Sequence, residues 1–303
     1  MNEKLIEKQE IICPLCKNID CLFIGKPKIS STAANFIRND YSVVQCSNCQ
    51  YYFTYPVIDF SQSEWQKLYN STYFDAMTDW HRKHRLNDIS SRFTGLKNYY
   101  NNDIENFLDA GCGEGLGLIE ANNRGWKAYG IDISDNRTED AKDKNINFIH
   151  GDIFTANFPD NFFDCVYMDS VLEHLIDPLP YLEELNRVMK KNGILYIGVP
   201  NEDSLFNNVK KIIYRLTGNP VSEKIKPFDS PYHVGGFNKI SLPFAASKAK
   251  FKIIELRNFA AHFEFCKYPA DSSNFRLHLA LLPVDLLAIL FGEEIYLEAY
   301  LKK

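Results

Sequence analysis

The chain has 303 residues, a length that suits about two domains with at least one full core. A composition of 45% hydrophobic and 24% charged residues excludes disordered and fibrous classes. A formal net charge of -5, with six Lys/Arg against six Asp/Glu in residues 1–60, argues against a chain built mainly to neutralise phosphates.

The amino terminus, MNEKLIEKQE, lacks the apolar core of a signal peptide. The longest apolar run, Leu279 to Gly292, is interrupted by Pro283 and Asp285 and is too short to span a bilayer. A cytosolic protein is therefore expected, and in that reducing compartment clustered cysteines point to metal or catalysis more than to disulfides. Four of the eight form two pairs, Cys13-Pro-Leu-Cys16 and Cys46-Ser-Asn-Cys49. Two thiolates on a tight turn can take adjacent corners of a tetrahedron, so two such knuckles complete a closed zinc site with a structural role. Residues 40–45 read as a strand delivering the second knuckle and 51–55 as one leaving it. Cys21 lies outside either pair and reads as packing.

Ser61-Gln-Ser-Glu64 has the form of a capping box opening a short helix through Trp65 and Leu68. A longer helix is expected from about 79 to 100, because Leu86, Ile89, Phe93, Leu96 and Tyr100 recur at three- and four-residue steps. No flexible linker follows, so the front module should pack on the rest. From Asn106 onward strands and helices alternate, the signature of a parallel sheet covered on both faces. Strands are expected at 106–110, 128–131, 147–150, 163–168, 193–199, 251–259 and 294–301, and helices near 115–124, 138–144 and 178–190. The alternation breaks for forty residues after Pro200.

The first of these strands ends in Phe107-Leu-Asp109-Ala-Gly111-Cys112-Gly113-Glu-Gly115-Leu-Gly117. Glycines at a strand-to-helix turn let backbone amides approach a ligand at the positive end of the helix. A dinucleotide fold wants its third glycine three residues after the second, but position 116 is Leu. Asp109 would repel a pyrophosphate and suits a cationic amino-acid ligand.

FLDAGCGEG resembles the first motif of class I S-adenosylmethionine-dependent methyltransferases, and the resemblance continues at matched intervals over about 105–265. It implies a Rossmann-like α/β fold with a seven-stranded, mostly parallel sheet. The second strand ends YGIDIS, which places Asp132, followed by Ile133, against the ribose hydroxyls. FIHGDIF places Asp152 and apolar Ile153 at the adenine, and FDCVYMDSVLEHLIDP, with Asp169 and a trailing Glu-His, is similar to the strand-four motif. Cys112 occupies the family's GCG and reads as a small packing residue in the cofactor turn. The CPxC…CxxC ribbon, the Tyr73-Phe74 element and this core together resemble the zinc-ribbon methyltransferases of the type 23 group. That group includes modifiers of sugars, surface-polysaccharide precursors and secondary metabolites. Some of its sugar C-methyltransferases carry a further C-terminal domain of over a hundred residues, which does not follow in this sequence. The implied organisation is a zinc ribbon over 1–60, a helical cap over 61–102, and a methyltransferase domain over 103–303 with an acceptor-side insertion at 201–240.

On the acceptor side, His174 follows the fourth strand, at the edge where open α/β sheets bind ligands. Methyl transfer to oxygen needs a hydroxyl proton removed, and histidine titrates near neutral pH. His233, in SPYHVGGF, is the second candidate base. Residues 206–216 place Lys210, Lys211 and Arg215 beside apolar positions, an amphipathic basic helix suited to a phosphorylated or nucleotide-linked acceptor or to a membrane surface. Tyr73 is expected to border the acceptor from the cap. The stretch 279–291 reads as a core-facing helix. A nucleic-acid methyltransferase, in which the ribbon reads RNA, is the alternative that the charge opposes; a nicotinamide-dependent oxidoreductase is opposed by Leu116 and Asp109, and a non-catalytic cofactor-binding protein stays open.

Overall fold

The computed structural model describes residues 11–29, 37–61, 64, 79–142, 145–216, 221–222, 225–228, 232–259, 271 and 273–303. The front module is an antiparallel meander of β1 (Cys21–Pro27), β2 (Ser42–Cys46) and β3 (Tyr52–Tyr55). β2 and β3 stand where the alternation around the second knuckle places them; β1 is an addition that the sequence reading lacked. At the capping box, the Ser61 amide donates to Glu64 at 2.8 Å and the Glu64 amide to the Ser61 hydroxyl at 3.4 Å. Trp65, Leu68 and Tyr73 lie outside the described residues.

Helix α1 (Asp79–Tyr99) leads into the alternating region: β4 (Asn106–Ala110), α2 (Leu116–Asn123), β5 (Lys127–Asp132), β6 (Asn147–His150), β7 (Phe163–Asp169), α3 (Pro178–Val188) and β8 (Met189–Pro200). The helix expected near 138–144 is a single 3-10 turn at Glu139–Lys142. Beyond β8 come α4 (Leu205–Leu216), the two-residue strands β9 (Val221–Ser222) and β10 (Gly235–Gly236), α5 (Ser241–Lys248), β11 (Lys252–Phe259), α6 (Ser273–Phe291) and β12 (Tyr296–Lys302).

Seven strands form the main sheet in the order β11-β12-β8-β7-β4-β5-β6. β12 runs antiparallel to both neighbours and the other pairs are parallel. From β4 the chain winds outward through β5 to β6, then returns to β7 and winds the other way. The crossovers therefore diverge between β4 and β7, the place where open α/β sheets leave a ligand crevice at their carboxyl edge.

Side chains along these strands alternate between two apolar layers. Phe107, Cys165, Tyr167, Ile194 and Tyr196 face Ile89, Phe93 and Leu96 of α1 together with Leu118 and Trp126. Leu108, Val166, Met168, Leu195 and Ile197 face α3, α5 and, in the same cluster, Cys13, Leu15, Cys46, Tyr51 and Phe53 of the front module. The front module thus packs on the main domain, as the absence of a linker implied. The helix α6 departs from its expected core-facing role: Ala288 is buried, but Leu286, Leu287, Leu290 and Phe291 are exposed. It packs along α4 and leaves these apolar side chains outward.

One charged residue breaks the apolar stripe of α1. Arg92 is 5% exposed and donates to Glu298 at 2.7 Å, to Asp169 at 2.9 Å and to the Tyr167 hydroxyl at 3.1 Å. Removing one partner from a buried ion network leaves the others uncompensated, at a cost of about 3–5 kcal/mol. Arg92→Met is expected to lower the thermal midpoint by roughly 5–15 °C in a calorimetric scan. A midpoint within a degree of the parent would refute the structural weight given to this network.

Candidate functional site

The crevice between β4 and β7 is built from the glycine turn after β4 and the loop after β7. Gly111 takes φ of +78°, a left-handed conformation, and a Cβ there would collide with the Val171 side chain. The turn and the strand-four loop are thereby in direct contact. Gly117, in the first turn of α2, leaves room for the Asp109 carboxylate, which a Cβ would strike. A carboxylate at a helix N-terminus is favoured by the helix dipole. The amides of Gly111 and Cys112 donate to the Ile131 carbonyl, and that of Gly113 to Asp132 at 2.9 Å. With those amides turned inward, the turn is poorly equipped for a pyrophosphate.

Asp109 and Asp132 flank this turn, and Asp152 follows the next strand outward. Asp109 is 4% exposed, and burial pushes its carboxyl up to about 8, opposed by Arg85 and reinforced by Asp169 and Asp132. Asp132 ends β5; one oxygen accepts the Gly113 amide and the other the Ser134 amide at 3.0 Å. A carboxylate oxygen can accept two hydrogen bonds, so each has capacity left for a ligand hydroxyl. Burial pushes this carboxyl up as well, and the two amides draw it back. Asp152 follows β6 and accepts the Thr155 amide at 2.8 Å, forming a small turn. Ile133 is 64% exposed beside Asp132, whereas Ile153 is fully buried in the core. Cys112 is buried, and burial raises its thiol well above the ordinary range, the state of a packing residue. Asp169, at the end of β7, holds Arg92 and Tyr167 through one oxygen and keeps the other buried, without a hydrogen-bond partner among the described residues. These residues fit a ligand that carries a cationic amino-acid end and vicinal hydroxyls.

The acceptor-side histidines are brought together. His174 closes a 3-10 turn, Leu172–His174, and its Nδ1 is 3.3 Å from the Tyr232 carbonyl. His233 stands across from it, with ring centroids 5.0 Å apart at 79°. Glu173, which in sequence is only part of the strand-four motif, has a side chain 1% exposed that lies 3.7 Å from His233 Nε2. Burial pushes Glu173 up to about 8 and drives His174 down to about 4; burial, His174 and Lys226 drive His233 down to about 3. The signal that could have found Glu173 is a carboxylate next to a histidine at the carboxyl edge of a central strand. Lys210, Lys211 and Arg215 fall on α4, but their side chains lie outside the described residues, and Tyr73 is likewise outside.

The four cysteines of the knuckles converge. Cys13 and Cys49 Sγ lie 3.5 Å apart, Cys16 and Cys46 3.4 Å, and all four within 4.8 Å of one another. Thiolates around a tetrahedral ion at ~2.3 Å sit ~3.8 Å from one another, so the cluster could hold zinc with little movement. A hydrogen bond from Cys49, joined by backbone amides of Cys16 and Leu15, outweighs burial and draws Cys13 down to about 5. Cys21 stays outside the cluster, and burial pushes it up to about 12.

The methyltransferase-domain family matches residues 108–197. An uncharacterised 37.1 kDa protein of transposon TN4556 from Streptomyces fradiae is 38% identical over 109 residues, which cover 33% of this chain and 32% of that protein. Demethylmenaquinone methyltransferase from Staphylococcus haemolyticus is 28% identical over 211 residues, covering 59% of this chain and 83% of the relative. The chain therefore spans about a third of the first curated relative and most of the second. Among solved structures, 1,6-didemethyltoxoflavin-N1-methyltransferase from Burkholderia thailandensis, with S-adenosylhomocysteine bound, aligns over 88% of this chain and 97% of its own, with a TM-score of 0.51 at 13% identity. Residues 108–197 thus match the methyltransferase-domain family, and the chain shares the fold of the didemethyltoxoflavin methyltransferase.

Proposed function

We propose that the protein transfers a methyl group from S-adenosylmethionine to a small-molecule acceptor. The observation that carries this reading is that Asp109, Asp132 and Asp152 stand at or just past the carboxyl ends of three successive strands, the first two against one glycine turn. Bound there, S-adenosylmethionine supplies an electrophilic methyl on a sulfonium. Asp132 would accept both ribose hydroxyls, Asp152 the adenine amino group, and exposed Ile133, not buried Ile153, would lie against the adenine. Asp109 would face the cationic amino-acid end, with Gly111, Gly113 and Gly115 shaping the turn and Asp169 closing it from β7. The demethylmenaquinone and didemethyltoxoflavin named for the relatives favour a small acceptor over a nucleic acid. The chain's own basic helix favours an anionic one, such as a sugar phosphate or nucleotide sugar. That acceptor would enter between the insertion at 201–240 and the cap near Tyr73. The histidine pair would manage its proton, with His174 and His233 held neutral by burial. The four-cysteine cluster is read as a structural zinc site.

Incubation with methyl-labelled S-adenosylmethionine and a panel of sugar phosphates, nucleotide sugars, quinols and RNA tests the acceptor class. Label in an anionic small molecule supports the proposal, and Lys210, Lys211 and Arg215 replaced together by Ala should then raise KM several-fold without changing cofactor affinity. Label entering RNA alone would refute it.

Asp109 gives a separate check. Folded, it titrates near 8, while an unfolded aspartate titrates near 3.8. Between those values the folded state keeps a proton that the unfolded chain has lost, so this group's share of stability is full below about pH 4 and declines up to pH 8. The ammonium of the ligand's amino-acid end draws the carboxyl down, so S-adenosylhomocysteine binding at pH 7 is expected to release a proton. The heat of binding should change with the ionisation enthalpy of the buffer, and Asp109→Asn should remove that dependence. Identical heats in phosphate and Tris would contradict the assignment of Asp109.

A further inference from the structure

We propose that Glu173, His174 and His233 form a second cation site, distinct from the cysteine cluster, that takes a divalent first-row transition ion. One carboxylate oxygen and one nitrogen from each imidazole lie within 4.8 Å of one another. Two histidines and one carboxylate are the donor set that such ions bind with coordination positions left open for water or substrate.

Two further observations point to a ligand. Glu173 is 1% exposed, yet among the described residues neither of its carboxylate oxygens has a hydrogen-bond partner. His233 Nε2, at 3.7 Å, is too far for a hydrogen bond, and a buried carboxylate left in that state is costly and asks for a compensating charge. The surroundings also hold the donors in register. The Nδ1 of His174 is fixed by the Tyr232 carbonyl, the outer contact that orients a ligating imidazole. The Val234 amide donates to the Glu173 carbonyl at 3.0 Å, tying the segment that carries His233 to the strand-four loop. Donor atoms around an ion at ~2.1 Å sit ~3–3.5 Å apart, so side-chain rotations of roughly 1 Å would close the site.

The same loop abuts the glycine turn through Val171, so an ion here would sit beside the cofactor cradle. Its open positions would orient an acceptor oxygen; that last step rests on the methyltransferase reading, while ion binding does not. With the ion in place the imidazoles act as ligands, and the proton-handling role passes to the ion-bound oxygen.

The test uses full-length protein with zinc already on the cysteine cluster and excess metal removed. Mn²⁺ is titrated in and free Mn²⁺ followed by its electron paramagnetic resonance signal. One equivalent should bind, and Glu173→Gln and His233→Ala should each weaken binding at least ~10-fold. Co²⁺ should give ligand-field bands without the intense charge-transfer absorption of thiolate ligation. His174→Asn serves as a third variant, and all are checked by circular dichroism and S-adenosylhomocysteine titration. No uptake of either ion, or uptake unmoved by every substitution, would overturn the site. Uptake of the ion without any binding of S-adenosylhomocysteine would sustain the site and sink the methyltransferase reading; the reverse outcome would do the opposite.

Discussion

Asp132→Ala is expected to abolish S-adenosylhomocysteine binding while leaving the protein folded. The two carboxylate oxygens each accept one amide and each retain capacity for one ribose hydroxyl. Hydrogen bonds to a charged group are worth about 1.5–3 kcal/mol each, so losing two should weaken binding at least ~100-fold. The strand itself should survive, because β5 is held by backbone pairing to β4 on one side and β6 on the other. Calorimetry on a variant with a parent-like melting profile reads the effect directly; unchanged affinity would remove the cofactor assignment. A parallel titration of the parent protein with NAD should give no heat.

Cys46→Ser is expected to cost the thiolate-bound zinc and with it the front module. Short zinc-binding peptides owe about 10–16 kcal/mol of apparent free energy to the ion, more than a meander of three strands can supply by packing. Elemental analysis should show one zinc fewer per chain, and hydrogen exchange over residues 37–61 should rise toward the unfolded rate. Cys21→Ser should keep the ion, since that thiol lies outside the cluster. Full zinc in the Cys46→Ser protein would refute the ligand set. The damage should extend to catalysis, because β3 pairs with β10, two residues after His233. Acceptor turnover should fall while cofactor affinity holds.

Much of this fold can be read from residue spacing. Apolar runs place every strand of the main sheet to within a few residues, and they are plainest in β4, β7 and β8, which are buried on both faces by neighbours the chain itself supplies. The stripe of α1 is equally plain; Ile89, Phe93, Leu96 and Tyr100 are all buried. What escapes is structure made by partners distant in sequence. β1 exposes Leu22 and Phe23 and exists through its pairing with β2, so its own pattern carries little signal. β9 and β10 are two residues each and have no period at all. Among candidate site residues, Asp109, Asp132, Asp152 and the four cysteines are the ones that motif and spacing single out. Glu173 does not, because a carboxylate after a central strand reads as solvated until the insertion folds over it. Arg92 interrupts an apolar stripe, a signal visible in sequence, but its partners Asp169 and Glu298 come from β7 and β12.

The five-stranded sheet of the front module runs β10-β3-β2-β1-β9, so both of its edges are closed by strands from the insertion. That arrangement sets a clock on biosynthesis. Thr54 finds its partner in the carbonyl of Val234, 180 residues downstream. At roughly 5–20 residues per second, the ribosome needs about 10–40 s to make that stretch. Throughout that interval the cysteine module is already outside the ribosome with two bare edges, the state in which strands pair with the wrong chain. Early capture of the metal would hold the three strands short and twisted while they wait. An ion held there would then act first as a guard against aggregation in the nascent chain.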